Sequence, residues 1–104
     1  MLISHFLTIF DPMLNGKSIS VVLPAYNAAE TLERTYKEIP MDIVDSIILV
    51  DDASKDKTTA KAKELQIEHL ICHENNKGYG GNQKSCYSKA LELNSDIIIM
   101  LHAD

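Results

Sequence analysis

The chain has 104 residues, of which 45% are hydrophobic and 24% are charged, and its formal net charge is −5. This composition is typical of a single soluble globular domain and argues against a disordered tail, while the acidic balance argues against nucleic-acid binding through a basic surface. The two cysteines, Cys72 and Cys86, form no CxxC motif, which argues against a zinc site and indicates free thiols in a reducing cytosol.

The N-terminal segment is apolar but lacks the features of a membrane anchor or a secretion signal. Its first ten residues, MLISHFLTIF, are too few to span a bilayer, and neither a basic region nor a convincing small-residue cleavage site flanks them. Turns are predicted at Asp11-Pro12 and Asn15-Gly16. We interpret residues 1–17 as a leader that is disordered or lies on a membrane surface, and residues 18–104 as the compact domain.

Four apolar runs, separated by segments with helical spacing, predict the strands of a buried sheet. They are residues 19–23, 46–50, 69–72 and 97–101, and Pro24 is expected to end the first. This alternation predicts an α/β fold, in which a parallel sheet has right-handed crossovers and helices on both of its faces.

The three intervening helices are predicted from periodicity and from capping residues. The first begins with Asn27 as its cap and Glu30 three residues later, a variant of the capping box, and ends at Pro40. Its buried face consists of four residues at helical spacing, Leu32, Thr35, Tyr36 and Ile39. The second covers residues 56–66, and the third runs from about Asn82, its expected cap, to Leu93.

Two adjacent carboxylates, Asp51 and Asp52, directly follow the second strand. Ligands of parallel sheets bind beyond the carboxyl ends of the strands, where such a pair can accept hydrogen bonds from a nucleobase or a sugar. The alternative is a plain turn, in which Ser54 or Asp56 caps the next helix.

Polar residues also follow the first and fourth strands, at the same edge of the predicted sheet. Pro24-Ala25-Tyr26-Asn27 supplies an aromatic ring, and His102-Ala103-Asp104 supplies an imidazole and a carboxylate two residues apart. Oxygen ligands with one imidazole suit Mg²⁺ or Mn²⁺, so His102 and Asp104 are candidate ligands of a metal ion that carries a diphosphate. Their place at the sheet edge, more than the three-letter pattern, supports this interpretation.

A glycine-rich stretch, residues 75–82, precedes the third helix. Its Gly78-x-Gly80-Gly81 pattern allows helix amides to approach a phosphate, although a dinucleotide-binding fingerprint would follow the first strand and not the third. The alternative is a flexible turn that ends at Asn82. Three histidines show no ligand spacing and are interpreted as structural or surface residues: His5, His69 and His73.

Four motifs, in this order and at these spacings, resemble the nucleotide-binding half of family 2 glycosyltransferases with the GT-A fold. They are VVLPAYNAAETL (21–32), IILVDDASKDKT (47–58), NKGYGGNQKS (76–85) and DIIIMLHAD (96–104). Within that family the chain is most similar to polyprenyl-phosphate sugar synthases, such as dolichyl-phosphate mannose synthase. The resemblance implies a Rossmann-like sheet with the strand order 3-2-1-4.

The resemblance also implies roles for particular residues. Those that would bind or enclose the nucleotide are Pro24, Ala25, Tyr26, Asn27, Glu30, Asp51, Asp52, Lys77, Gly78, Gly80, Gly81 and His102. Asp104 matches the last aspartate of the family's DxD motif and would bind the metal, while His102 stands where the first aspartate is usual. The catalytic residues of the family would follow Asp104 and cannot be assigned here.

The activity implied is the inverting, metal-assisted transfer of a sugar from a UDP- or GDP-linked donor to a polyprenyl phosphate or a glycan. We expect a cytoplasmic protein at the inner face of the membrane, with Mg²⁺ or Mn²⁺ as cofactor. Because the chain ends at a strand edge, we expect it to be the N-terminal half of a longer domain. Alone, it is expected to be inactive and to self-associate through its open sheet edge.

Two alternatives remain from the sequence. One is a nucleotide-binding module, or an inactive fragment, without transferase activity. The other is a flavodoxin-like or receiver-like signalling domain, which also has acidic residues at strand ends. A receiver domain would need a lone phosphorylatable aspartate after a middle strand and a lysine after the last strand, and this arrangement is not found.

Overall fold

The computed structural model describes residues 16–103, so Asp104 and all but the last two residues of the expected leader lie outside it. The described part alternates strands and helices, as the apolar runs predict. In chain order the elements are β1 (Ile19–Ala25), α1 (Leu32–Lys37), β2 (Ser46–Asp51), α2 (Thr58–Glu64), β3 (His69–Cys72), α3 (Gly78–Glu92) and β4 (Ile97–Met100).

The four strands form one parallel sheet in the order β3-β2-β1-β4, which confirms the predicted strand order. Val22, at the middle of β1, pairs with Ile48 of β2 on one side and with Met100 of β4 on the other. The carboxyl ends of β1, β2 and β4 therefore meet at one edge of the sheet, which we call the rim. The loops that follow these strands and the start of α3 are brought together there.

Helices cover both faces of the sheet, as expected. On one face, Leu23 and Leu49 pack with Leu32 of α1 and Ala62 of α2 in a buried cluster. On the other face, a second buried cluster joins the strands to α3 through Val22, Ile48, Val50, Cys86 and Ala90. Side chains alternate between the two clusters along β1 and β2, because successive residues of a strand point to opposite faces.

Pro24 does not end β1, contrary to the sequence-based prediction. The strand continues to Ala25, and Pro24 pairs with Val50 of β2 in the register. The carbonyl of Val22 accepts a hydrogen bond from the Leu101 N–H, so the backbone N–H and C=O groups of every second residue of β1, counted from Val22, point toward β4. The nitrogen of Pro24 faces that side too, beyond the last paired position of β4, and its missing N–H leaves no ladder bond unmade.

Asn27 does not cap α1, which begins only at Leu32. The backbone of Asn27 is left-handed (φ 49°), and its side-chain oxygen accepts a hydrogen bond from the Lys55 N–H at 2.9 Å. The helix is shorter than predicted because the loop after β1 is bonded to the loop after β2. Of its predicted buried face, Leu32 and Ile39 are buried and Tyr36 is partly buried against the same cluster, although Ile39 lies beyond the end of the helix.

The start of α3 is also earlier than predicted. The helix begins at Gly78, which has a φ of +80°, and Asn82 lies buried in its second turn instead of capping it. The carboxylate of Asp52 accepts the N–H groups of Lys77 and Gly78, at 2.7 and 3.0 Å. An acceptor 25 residues away in sequence therefore satisfies the first amides of the helix.

No helix within residues 16–103 is long and apolar enough to cross a membrane.

Candidate nucleotide-binding site

A cavity of about 320 Å³ opens at the rim, between the ends of β1 and β2 and the first turns of α3. Two tyrosine rings and one buried carboxylate are among the groups that enclose it. Its lining consists of Pro24, Ala25, Tyr26, Asp52, Asn76, Gly78, Tyr79 and Asn82. An apolar cleft with a few convergent polar groups at a strand-end crevice is the usual form of a small-ligand site in an α/β sheet.

The Asp52 side chain lines this cavity and has three hydrogen-bond partners. Its Oδ1 accepts the Lys77 N–H and lies 2.8 Å from Nδ1 of His73, and its Oδ2 accepts the Gly78 N–H. The side-chain amide of Asn76 donates to the backbone carbonyl of Asp52 at 3.1 Å. The side chains of Asp52 and His73 are only 4% and 5% exposed, so the pair is almost dry.

The environment of Asp52 keeps its carboxylate ionised. Burial by itself would raise the pKa of Asp52, but the hydrogen bonds from His73, Lys77 and Gly78 outweigh it and hold the pKa below its ordinary value. An ionised carboxylate only accepts hydrogen bonds. Because the three donors leave acceptor capacity on Oδ2, the cavity contains a fixed negative acceptor.

Asp51, the other carboxylate of the pair, faces a different partner. Its side chain accepts hydrogen bonds from the backbone N–H of Ser54, at 3.1 Å, and from the Ser54 hydroxyl. Asp51 is buried and is not among the residues that enclose the cavity. Asp51 therefore takes part in the turn, while Asp52 lines the cavity.

Hydrogen bonds connect the loop that carries Tyr26 to the loop after β2 and to the start of α2. The N–H of Asn27 donates to the Ser54 hydroxyl at 2.8 Å, and the N–H of Ala28 donates to the buried Thr58 hydroxyl at 2.8 Å. Asp56 accepts the N–H of Ala29 at 3.1 Å and also that of Thr58, at the start of α2. Asn27 thus fixes the loop and does not line the cavity.

The remaining predicted residues do not line the cavity. Glu30 borders a separate charged groove between α1 and α2. Gly80 and Gly81 belong to the first turns of α3, where a Cβ on Gly81 would lie 2.6 Å from Cβ of Lys77. The Lys77 side chain borders a groove on the other side of His73. Of the predicted nucleotide-binding residues, those that enclose the cavity are Pro24, Ala25, Tyr26, Asp52 and Gly78.

The β4 side of the rim carries His102, one of the two candidate metal ligands. His102 is exposed, and its Nε2 lies 3.2 Å from the Tyr79 hydroxyl, with the two ring centroids 5.6 Å apart. The Thr31 hydroxyl donates to the carbonyl of Ala103 and so fastens the segment that leads to Asp104. Within residues 16–103 there is no group of three or more His, Cys, Asp or Glu side chains placed to share a metal ion.

The donor chemistry of this segment fits a hard divalent cation. An imidazole and a carboxylate, completed by the oxygens of a bound diphosphate, suit Mn²⁺ or Mg²⁺. His102 is within the described residues and Asp104 is not. His102 is exposed at the open side of the rim, where a ligand can supply further oxygen atoms.

Four residues of the site were missed or misread in the sequence. The sequence alone does not single out Asn76, favours a packing role for Tyr79 and predicts Asn82 as a helix cap. His73 was read as structural or surface, yet it is bonded to Asp52. The signal for the first three is the motif at 76–85 itself, and the signal for His73 is its place directly after β3, at the same edge of the sheet.

The fold is an α/β fold with a parallel sheet and a cavity at the strand ends, and sequence comparison assigns the family. The model of glycosyl transferase family 2 matches residues 20–104, so the chain belongs to this family. Its structural neighbours are GT-A glycosyltransferases. One is glucosyl-3-phosphoglycerate synthase from Mycobacterium tuberculosis in complex with Mn²⁺, UDP and glucosyl-3-phosphoglycerate, with a TM-score of 0.71 at 26% identity over 86% of this chain and 34% of that one.

Similar curated proteins include transferases named for polyprenyl phosphates. The UDP-N-acetylglucosamine–dolichyl-phosphate N-acetylglucosaminyltransferase of Methanococcus voltae is 35% identical over 85% of this chain and 41% of its own length. The undecaprenyl-phosphate 4-deoxy-4-formamido-L-arabinose transferase of Photorhabdus laumondii is 36% identical over 85% of this chain and 29% of its own length. The chain therefore spans well under half the length of these relatives.

Proposed function

We propose that this chain is the nucleotide-sugar-binding part of an inverting glycosyltransferase that uses a UDP- or GDP-linked sugar and a lipid-phosphate acceptor. The observation that carries the proposal is the buried, ionised carboxylate of Asp52 in a cavity bordered by Tyr26 and Tyr79. Membership of glycosyl transferase family 2 supports the reaction class. Two of the relatives are named for polyprenyl-phosphate acceptors, which supports the acceptor class.

The nucleobase would bind beside Asp52. Since an ionised carboxylate only accepts hydrogen bonds, it favours a base that presents an N–H group, as uracil does at N3 and guanine does at N1. Cytosine has a bare acceptor nitrogen at N3, so its approach would bring two acceptors together. The exposed ring of Tyr26 borders the same cavity and offers a face for stacking.

The diphosphate would lie toward the β4 side of the rim. There His102 and Asp104 would hold Mn²⁺ or Mg²⁺, which when bound neutralises charge on the departing diphosphate. The Tyr79 hydroxyl orients the imidazole of His102, and the Thr31 hydroxyl anchors the carbonyl of Ala103. A crystal structure of the Mycobacterium tuberculosis synthase with Mg²⁺ and UDP supports divalent cation use within this fold.

A lipid-phosphate acceptor would place the enzyme at the cytoplasmic face of a membrane. A phosphate oxygen is already an anion and needs little help from a general base, whereas a hydroxyl acceptor would need one. One in-line attack on the anomeric carbon inverts its configuration. The acceptor site and the catalytic residues of the complete enzyme would come from polypeptide outside the described residues.

The test measures nucleotide binding by the full-length protein. Calorimetry with UDP and GDP, with and without Mn²⁺, is expected to show binding that the metal strengthens in the wild type. Asp104→Ala should abolish that metal dependence, while Asp42→Ala, an exposed carboxylate away from the rim, should retain it. Equal affinity with and without metal, in wild type and Asp104→Ala alike, would contradict the proposed metal site.

Transfer is tested separately, with radiolabelled UDP- and GDP-sugars and a lipid extract. Label in the lipid fraction is expected from the full-length protein. Tight nucleotide binding without transfer to any acceptor would favour the alternative of a binding module without transferase activity.

A further inference from the structure

The His73 side chain bridges the carboxylate of the cavity and the middle of α3. Its Nδ1 lies 2.8 Å from Oδ1 of Asp52, and its Nε2 lies 2.8 Å from the hydroxyl oxygen of Ser85. Its backbone N–H donates to the carbonyl of Asp51 at 2.9 Å, which continues the β2–β3 ladder past the end of β3. Both ring nitrogens and the main chain of His73 are therefore engaged.

The hydrogen bonds determine where the ring carries its proton. Asp52 is ionised and can only accept, so Nδ1 of His73 must be the protonated nitrogen. In the neutral ring, Nε2 is then an acceptor and receives the Ser85 hydroxyl proton. If the ring gains a second proton, the Ser85 hydroxyl turns and accepts from Nε2, so the contact persists in both charge states.

We propose that His73 is a positioning residue of the nucleotide site, which holds the Asp52 carboxylate in one orientation so that Oδ2 faces the bound nucleobase. The proposal rests on the proposed function, because it assigns His73 to the same nucleotide site. Two backbone amides contact the carboxylate from the α3 side, and His73 is the side-chain donor that contacts Oδ1. Ser85 in turn fixes the ring against α3.

A second reading of the same geometry is a serine nucleophile, because the order Asp52, His73, Ser85 matches that of a catalytic triad. The position of Ser85 argues against this. It lies in the middle of α3, where backbone amides are bonded within the helix and cannot form an oxyanion hole beside the hydroxyl. A bridge that orients a carboxylate is the role that the surroundings support.

His73 also separates the cavity from a neighbouring groove that carries several charges. The charged side chains of this groove are Lys77, Lys84, Lys89 and Glu92, and Lys89 is paired with Glu92 at 2.5 Å. The His73 side chain is 5% exposed and borders this groove. Loss of the imidazole would remove one donor from a buried carboxylate and make its ionised form less favourable.

The test compares variants of the full-length protein that remove one or both contacts. His73→Leu removes both, whereas His73→Asn keeps a side-chain N–H near the position of Nδ1. Ser85→Ala removes only the support at Nε2. His69→Leu is the matched control, since His69 lies on the same β3 segment, is partly exposed and has its nearest carboxylate, Glu68, at 4.0 Å.

UDP and GDP affinities are measured by calorimetry from pH 4 to pH 8. We expect His73→Leu to bind the nucleotide roughly tenfold more weakly than the wild type at neutral pH. As the pH is lowered, the affinity of His73→Leu should begin to fall at a higher pH than the affinity of the wild type. His73→Asn should recover most of the affinity, Ser85→Ala should fall between, and His69→Leu should match the wild type. Equal affinity of His73→Leu and the wild type across the pH range would overturn the proposal, as would a failure of His73→Asn to rescue.

Nuclear magnetic resonance gives a second, ligand-free measurement. The nitrogen signals of His73 should report the Nδ1-protonated ring, and the carboxyl carbon of Asp52 should titrate at higher pH in His73→Leu than in the wild type, with a smaller shift in His73→Asn, which keeps a donor. An Nε2-protonated ring, or an unchanged Asp52 titration, would overturn the positioning role. If the wild type binds neither UDP nor GDP, the proposed function fails, while these signals still decide whether His73 orients Asp52.

Discussion

The two ends of the rim are built in different ways. At the β2 end, Asp52 is buried, and its carboxylate has partners from the main chain of α3 and from His73. At the β4 end, His102 is exposed and is held by the Tyr79 hydroxyl at 3.2 Å. The fold itself therefore completes the proposed nucleobase side, whereas the proposed cation side depends on groups that a ligand and Asp104 would add.

The largest effect on the free energy of unfolding is expected from Asp52→Asn, at the β2 end of the rim. The amide has one oxygen in place of two, so at least one donor among His73, Lys77 and Gly78 loses its acceptor at the start of α3. We expect a loss of about 3 kcal/mol in the free energy of unfolding at pH 7, measured by urea denaturation. Asp42→Asn, at an exposed position, is the control and should unfold like the wild type.

The pH dependence of that loss gives a sharper check. Because the pKa of Asp52 is lower in the folded chain than in the unfolded chain, its carboxylate contributes stability that is fully present above about pH 4. The contribution disappears as the pH falls through the lower pKa of the folded state. The stability difference between wild type and Asp52→Asn should therefore shrink in acid, and a difference that stays constant down to pH 2 would contradict this account.

A smaller effect is expected from Asn82→Leu, which removes the polar link between α3 and the rim. The Asn82 amide donates to the carbonyl of Val50 at 3.0 Å and to that of Ala25 at 3.3 Å, and the side chain is buried. Leucine is similar in size but leaves these carbonyls short of a donor, at a cost of about 2 kcal/mol in the free energy of unfolding. Gln83→Leu, one position along the helix, should change stability much less.

The smallest effect is expected at the β4 end, from Thr31→Val. The change removes the hydroxyl that donates to the Ala103 carbonyl and preserves the shape of the side chain. We expect a loss of about 1 kcal/mol in thermal or urea unfolding, together with a weaker effect of Mn²⁺ on nucleotide affinity. Thr59→Val on α2, whose hydroxyl contacts the Cys72 sulfur at 3.8 Å, should leave the metal effect intact.

The sequence was sufficient for the sheet and insufficient for the starts of two helices. The strands are apolar runs that pack on both faces, so their parallel direction follows from local composition and the alternation with helices, whereas their order was implied by the family resemblance. The starts of α1 and α3 depend instead on bonds between residues far apart in sequence, such as Asn27 with Lys55 and Asp52 with Lys77. Local capping rules cannot predict such partners.

The candidate site likewise contains residues that the sequence predicted and a residue that it did not. Tyr26 and Asp52 were predicted because each lies within two residues of a strand end, and both line the cavity. His73 was misread because its partners, Asp52 and Ser85, are 21 and 12 residues away along the chain. Its role depends on the register that brings β3 beside β2, which the histidine itself does not encode.

The double use of Asp52 has a consequence for redesigning the preference of this pocket for one base over another. A substitution at Asp52 that suited a different base would also alter the capping of α3, because the same carboxylate receives the first amides of that helix. Altered selectivity would then be hard to separate from an altered helix start. Tyr26 borders the same cavity without bonding to those amides, whereas the Asn76 side chain also accepts the Gly78 N–H, so a library that varies Tyr26 would explore selectivity with less damage to folding.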